Sequence, residues 1–201
     1  SPTTRAPAEN ALSEQTLTPN EGRPDRMDRP APFSFCDFWN HDQEVIYVEA
    51  VFRPLTQAHA LEIANEWKYD GIYSFYDMTA DPEDYEEFVD ADLRNKNDNY
   101  EVLENENLIG FFCVIREGAS IEIGLGMRPD LCGKGKGRQF LKQILAFIER
   151  NYEFDKLIMN VASFNQRAIK VYHSCGFLDS ELIKRSSNGG IYEFLTLIKK
   201  T

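Results

Sequence analysis

Leu131-Cys132-Gly133-Lys134-Gly135-Lys136-Gly137-Arg138 separates a strand-like segment from an amphipathic helical one. A glycine-dense turn that opens a helix leaves backbone N–H groups unpaired and facing forward, with no side chains to hold an anion away. The stretch therefore reads as a phosphate cradle. It is not a P-loop, because Lys134 and Lys136 are each followed by Gly where that motif needs Ser or Thr. It is not a dinucleotide fingerprint either, since counting from Gly135 and Gly137 puts Phe140 at the third glycine position.

Some thirty residues on, the chain reads Asn165-Gln166-Arg167-Ala168-Ile169-Lys170-Val171-Tyr172, then Cys175-Gly176-Phe177. With Met127-Arg128-Pro129-Asp130 ahead of the glycine loop, the two segments resemble the GNAT superfamily of acyl-CoA-dependent N-acetyltransferases. That family carries a loop of the form Arg/Gln-x-x-Gly-x-Gly/Ala around the coenzyme A pyrophosphate. Its second motif, Asn-x-x-Ala-x-x-x-Tyr-x-x-x-Gly-Phe, is matched by Asn165, Ala168, Tyr172, Gly176 and Phe177. One position departs from the pattern, with Cys132 standing where the family has Arg or Gln. Most of the grip in such a loop comes from backbone amides, so the departure bears on affinity more than on the identity of the cofactor.

The resemblance implies an α/β fold whose central, mostly antiparallel sheet has splayed middle strands and flanking helices, and it implies acetyl-CoA as cofactor. Carried over by motif, cofactor contacts fall on Leu125, Met127, Cys132, Gly133, Lys134, Gly135, Lys136, Gly137, Arg138, Asn165 and Ala168. Tyr172 takes the place of the tyrosine that hydrogen-bonds the leaving sulfur. A phenol near pKa ~10 is a weaker acid than a thiol near ~8.5, so full proton transfer would be uphill by about 2 kcal/mol, and a hydrogen-bond donor is the expected role. Glu122 is the first candidate for general base, on the strand beside the thioester site. Gly124 and Gly126 would let pantetheine approach that strand or would shape a bulge in it. Tyr73, Tyr76 and Asp77, in the aromatic segment after the first helix, are expected to wall the acceptor pocket. Cys132 at a helix start could carry a lowered thiol pKa, but no base adjoins it. His173 should face away from Tyr172.

Local patterns give the order of elements. Strands are expected at 45–52, 100–104, 108–116, 120–127, 156–162, 177–185 and 191–198, with turns at Glu117-Gly118 and Asn188-Gly189-Gly190. Helices are expected at 56–67 with Thr56 as N-cap, 82–95, 135–151 with Phe140, Leu141, Ile144, Leu145 and Ile148 on one face, and 165–174. Residues 1–44 form a polar, Pro-rich extension ending in Phe33, Phe35, Phe38 and Trp39, and 45–201 form the domain.

Composition bounds the rest. At 201 residues one core is expected. Four scattered cysteines and three histidines argue against a disulfide framework or a zinc site. With no long apolar run and no basic-then-apolar leader, a cytoplasmic protein without membrane association is expected. The net charge of −11 is concentrated between Asp77 and Glu106, where twelve acidic residues face two basic ones. Such a chain is a poor ligand for nucleic acid and suits a cationic amine acceptor, either a small molecule or a protein amine. A homodimer is compatible with this reading. The alternative function is a weakly catalytic acyl-CoA-binding or interaction module on the same scaffold.

Overall fold

A computed structural model describes residues 49–200. The extension 1–44, its aromatic cluster and the beginning of the strand expected at 45–52 lie outside the described residues.

Seven strands form one sheet in the order β1-β2-β3-β4-β5-β7-β6. They are β1 (Val51–Pro54), β2 (Asp98–Glu104), β3 (Asn107–Glu117), β4 (Ser120–Met127), β5 (Lys156–Ala162), β6 (Leu178–Ser187) and β7 (Gly190–Lys200). Every neighbouring pair is antiparallel except β4 and β5. This agrees with the mixed, mostly antiparallel sheet that the sequence implies. The parallel pair is also the shortest relative to its strands, running only from Ser120↔Lys156 to Glu122↔Ile158. Beyond those positions the two strands part, and the cleft opens there.

Two cores cover the sheet. Neighbouring side chains on a strand point to opposite faces, and Phe111 and Phe112 are divided between the two cores accordingly. Phe111 packs with Trp67 and Phe88 against α1 (Gln57–Glu66) and α2 (Pro82–Val89). Phe112, 0% exposed, lies in the core built on α4 (Gly137–Asn151) and α5 (Gln166–Ser174). The apolar face read for α4 is the one buried, with Phe140, Leu141, Ile144, Leu145 and Ile148 all inside. No described helix is long and apolar enough to cross a membrane.

Polar groups set the helix ends. Thr56 caps α1, accepting from the His59 N–H. The acidic helix expected at 82–95 is broken in two, α2 ending at Val89 and the short α3 (Ala91–Arg94) following. Asp90 causes the break, because its side chain accepts from the N–H groups of Asp92 and Leu93 and starts a new helix instead of continuing the old one. Asp81 caps α2 and also accepts from the Asn188 N–H at 2.8 Å, which ties the β6–β7 hairpin to this helix.

Glu101 is 2% exposed on β2. Burial pushes its carboxyl up, but His59 Nδ1 at 2.7 Å and the Thr56 N–H and hydroxyl outweigh burial and hold it below the usual carboxylate range. An unfolded Glu protonates near pH ~4.3. Since the folded group holds its proton less tightly, its stabilising contribution is complete above that pH and is lost as pH falls through the lower folded value. Urea unfolding followed across acidic pH should show this loss. Glu101→Gln should flatten it and lower stability by about 1–3 kcal/mol at neutral pH.

Candidate active site

The parting of β4 and β5 leaves a cavity of about 780 Å³ that runs from the glycine loop to α2. This is the size of a site for a ligand larger than a metabolite fragment. At one end Cys132, Gly133, Gly135, Gly137 and Arg138 line it. Gly133 and Gly135 have φ of 74° and 77°, a conformation that side chains with a Cβ rarely adopt. A Cβ at Gly135 would meet nothing within 4 Å, so its backbone is open to a ligand. The helix begins at Gly137, two residues later than the pattern suggests, and Lys136 at its N-cap makes no side-chain cap. The first-turn N–H groups are thus left for an anion. A pyrophosphate fits this loop.

The middle of the cleft is spanned by the segment after α1, which forms a 3-10 turn at Gly71–Tyr76. The Tyr69 hydroxyl donates to the Met127 carbonyl at the end of β4 (3.0 Å), and the Tyr76 hydroxyl accepts from the Ala162 N–H at the end of β5 (3.2 Å). One segment therefore holds both lips of the split. Tyr172 projects from α5 into the same space, 8% exposed, with no hydrogen bond at its hydroxyl among the described residues. Burial, with Tyr76 close by, raises its phenol well above the ordinary value. Tyr76 is raised by burial too, partly offset by hydrogen bonds from Asn165 and the Ala162 amide. Both phenols stay protonated at neutral pH and can donate. Asn165 caps α5, its side-chain oxygen accepting from the Ala168 N–H at 3.2 Å.

Leu125, Met127, Cys132, Gly133, Gly135, Gly137, Arg138, Asn165, Ala168, Tyr172, Tyr73 and Tyr76 are thus brought together around one cleft. Glu122, Asp77, Lys134 and Lys136 are not among its lining residues. Glu122 is the last β4 residue paired to β5, facing Ile115 and Ile158 across its ladders. Asp77 accepts from the Tyr69 N–H at 2.9 Å and so shapes the spanning segment. Lys136 lies 3.9 Å from Glu104. His173 pairs with Asp179 at 2.6 Å on the surface.

Two expectations change. Cys132 does not sit at a helix start. Burial raises its thiol, Arg167 opposes this only in part, and the sulfur donates weakly to the carbonyls of Met127 and Arg128. Gly124 and Gly126 form no bulge, since the β3–β4 register runs unbroken. Instead they make room for neighbours on the same face: a Cβ at Gly124 would lie 2.7 Å from the Cys113 sulfur, and one at Gly126 would strike the Phe111 ring.

The sequence reading also missed residues. Asp84, Glu87 and Arg94 line the far end, along with Asn97 and Asn99. The i, i+3 spacing of Asp84 and Glu87 on an amphipathic helix was the available signal. Asp84 is raised by burial, then by the negative charges of Asp81, Glu87 and Glu83. Arg94 is 5% exposed and donates to the Phe88 carbonyl and to Gln57, with its Nε unpartnered among the described residues. Cys113, beside Gly124, is a neutral thiol pushed up to about 11 by burial.

A sheet split at a parallel step, with a glycine loop feeding a helix on one side and a tyrosine helix on the other, defines an acyl-CoA-dependent acyltransferase fold. The chain belongs to the GNAT acetyltransferase family: residues 50–178 match the model of the acetyltransferase (GNAT) domain. Membership makes it an N-acetyltransferase with acetyl-CoA as cofactor. Among solved structures it is similar to the spermidine N-acetyltransferase of Vibrio cholerae in complex with CoA and spermine, at 22% identity and a TM-score of 0.61 over 76% of this chain and 95% of that one. It is also similar to the ribosomal-protein-S5-alanine acetyltransferase of Vibrio fischeri, at 17% identity and a TM-score of 0.53 over 76% and 93%. No protein of curated function matches the sequence. At such identities the structural likeness speaks for the fold.

Gly126→Ala should lower stability by about 1–3 kcal/mol, because the Phe111 ring must shift within a packed core. Chemical denaturation measures this, and Gly135→Ala, where space is open but φ is positive, should instead cost more in coenzyme A affinity than in stability.

Proposed function

We propose that this protein transfers the acetyl group of acetyl-CoA to the primary amine of a small cationic acceptor, by direct attack with both substrates bound. The observation that carries the choice of acceptor is the wall of Asp84 and Glu87 at the end of the cleft away from the glycine loop. Asp84 is raised first by burial and then by its like-charged neighbours Asp81, Glu87 and Glu83. An arriving ammonium relieves that repulsion, so the wall attracts a cation more strongly than an isolated carboxylate does. The spermine bound by the Vibrio cholerae enzyme is a cationic amine of this kind.

The protein's own groups divide the work. Gly133, Gly135 and the start of α4 hold the cofactor's phosphates, and the β4 backbone beyond Glu122 has no ladder partner on its β5 side, which leaves N–H groups for a carbonyl oxygen. Bound acetyl-CoA supplies the thioester carbonyl that acts as electrophile. Tyr172, kept protonated by burial, donates a hydrogen bond to the departing sulfur. An alkylammonium near pKa ~10 must first lose a proton. Among the described residues, Asp84 and Glu87 are the carboxylates that line the cleft, so this reading makes them, and not Glu122, the proton acceptors.

The Cys132 side chain brings no charge to the loop, which favours the rival reading of a weakly catalytic acyl-CoA-binding module. Tyr172→Phe separates the two. A transferase should lose about 10²-fold in kcat with coenzyme A affinity unchanged, as read by thiol release and calorimetry. A binding module shows no amine-dependent thiol release in the parent protein. Paired substitution Asp84→Asn and Glu87→Gln should raise KM about tenfold or more for a diamine and little for a neutral-tailed monoamine, while kcat falls about 10²-fold for both.

A further inference from the structure

A pyrophosphate wants cationic side chains as well as amides, and a guanidinium suits it best because its fork of donors meets two oxygens at once. In the loop itself Arg138 lines the cleft, while Lys134 and Lys136 do not. Cys132 stands where the family has Arg or Gln, and Arg128 is engaged by Asp130 at 2.6 Å and by the Leu108 carbonyl at 2.9 Å. Lys136 faces Glu104. Across the cleft, in the first turn of α5, lies Arg167. One of its terminal nitrogens is 3.7 Å from where a Cβ on Gly133 would be, and its guanidinium carbon is 3.5 Å from the centre of the Tyr73 ring. Arg167 has no carboxylate partner among the described residues.

We propose that Arg167 supplies, from α5, the charge missing at Cys132, that it joins Arg138 beside the glycine loop, and that it leaves the Tyr73 ring to grip the pyrophosphate. A cation stacked on the half-buried Tyr73 ring is held more weakly than one in a charge-assisted fork with a doubly charged pyrophosphate, so the exchange runs toward the ligand. Both partners line the cleft, Arg167 beside the loop and Tyr73 on the spanning segment. Binding of the cofactor therefore uncovers the Tyr73 face, so the amine finds its aromatic wall only after the donor has arrived. This rests on the cofactor assignment above.

The test is calorimetric titration of the full chain with coenzyme A and, separately, with pantetheine, which lacks the phosphates. Arg167→Gln should weaken coenzyme A about 10- to 100-fold and leave pantetheine unchanged. Tyr73→Leu should tighten coenzyme A about two- to fivefold in the parent and have no effect in the Arg167→Gln background. Coenzyme A affinity within twofold of the parent in Arg167→Gln, or an equal loss for both ligands, overturns the proposal alone. So does a Tyr73→Leu effect of the same size in both backgrounds. A parent protein that binds neither ligand overturns the cofactor assignment and the proposal with it.

Discussion

The short parallel ladder between β4 and β5 is the constraint on which the site depends. It runs for three residue pairs, Ser120 to Glu122 against Lys156 to Ile158, and then stops. Backbone groups past that point are released from the sheet, and a sheet cannot leave them buried without partners. Two devices meet that need. The Tyr69 and Tyr76 hydroxyls take one group on each lip, and the remaining edge faces a cavity large enough for a ligand to hydrogen-bond it. Binding and folding thus draw on the same unpaired backbone.

Packing on the two faces keeps the split from closing. On one face Phe140, Leu141 and Tyr172 fill the space under α4 and α5, and on the other Phe111 and Cys113 lie across Gly126 and Gly124. The glycines of β4 are there as much for these neighbours as for a ligand. A side chain at either would press on a ring or a sulfur before it reached the cofactor channel. Charge follows the same division of space: Arg138 and Arg167 border the glycine loop, while Asp84 and Glu87, together with the buried Arg94, border the opposite end. The loop end is thus the more cationic end of the cleft, suited to a polyanionic donor.

Much of this was legible beforehand. Helix periods placed the buried face of α4, the Asn188-Gly189 turn closed the last hairpin, and the glycine loop with the Asn165 to Phe177 segment implied the fold and the cofactor. Local signals did less well where a side chain competed with the backbone. Asp90 split an acidic helix that looked continuous by composition, since a carboxylate near two free N–H groups caps them as readily as a peptide carbonyl accepts them. The family motif also covered the donor half of the cleft far better than the acceptor half. Asp84, Glu87 and Arg94 are drawn to it by tertiary packing of α2 and α3, which no fixed spacing announces.

By itself, then, the sequence determined most of the elements, their order, the glycine turn and the helix that carries Tyr172, because each rests largely on contacts within a few residues. Tertiary structure decided which of those residues face one another. It placed Glu122 at the end of the ladder instead of in the cleft lining, turned the Cys132 sulfur toward carbonyls, and set Arg167 against Tyr73 at 3.5 Å. These positions depend on how β4 and β5 diverge and on what packs in the gap, and segments remote along the chain settle both.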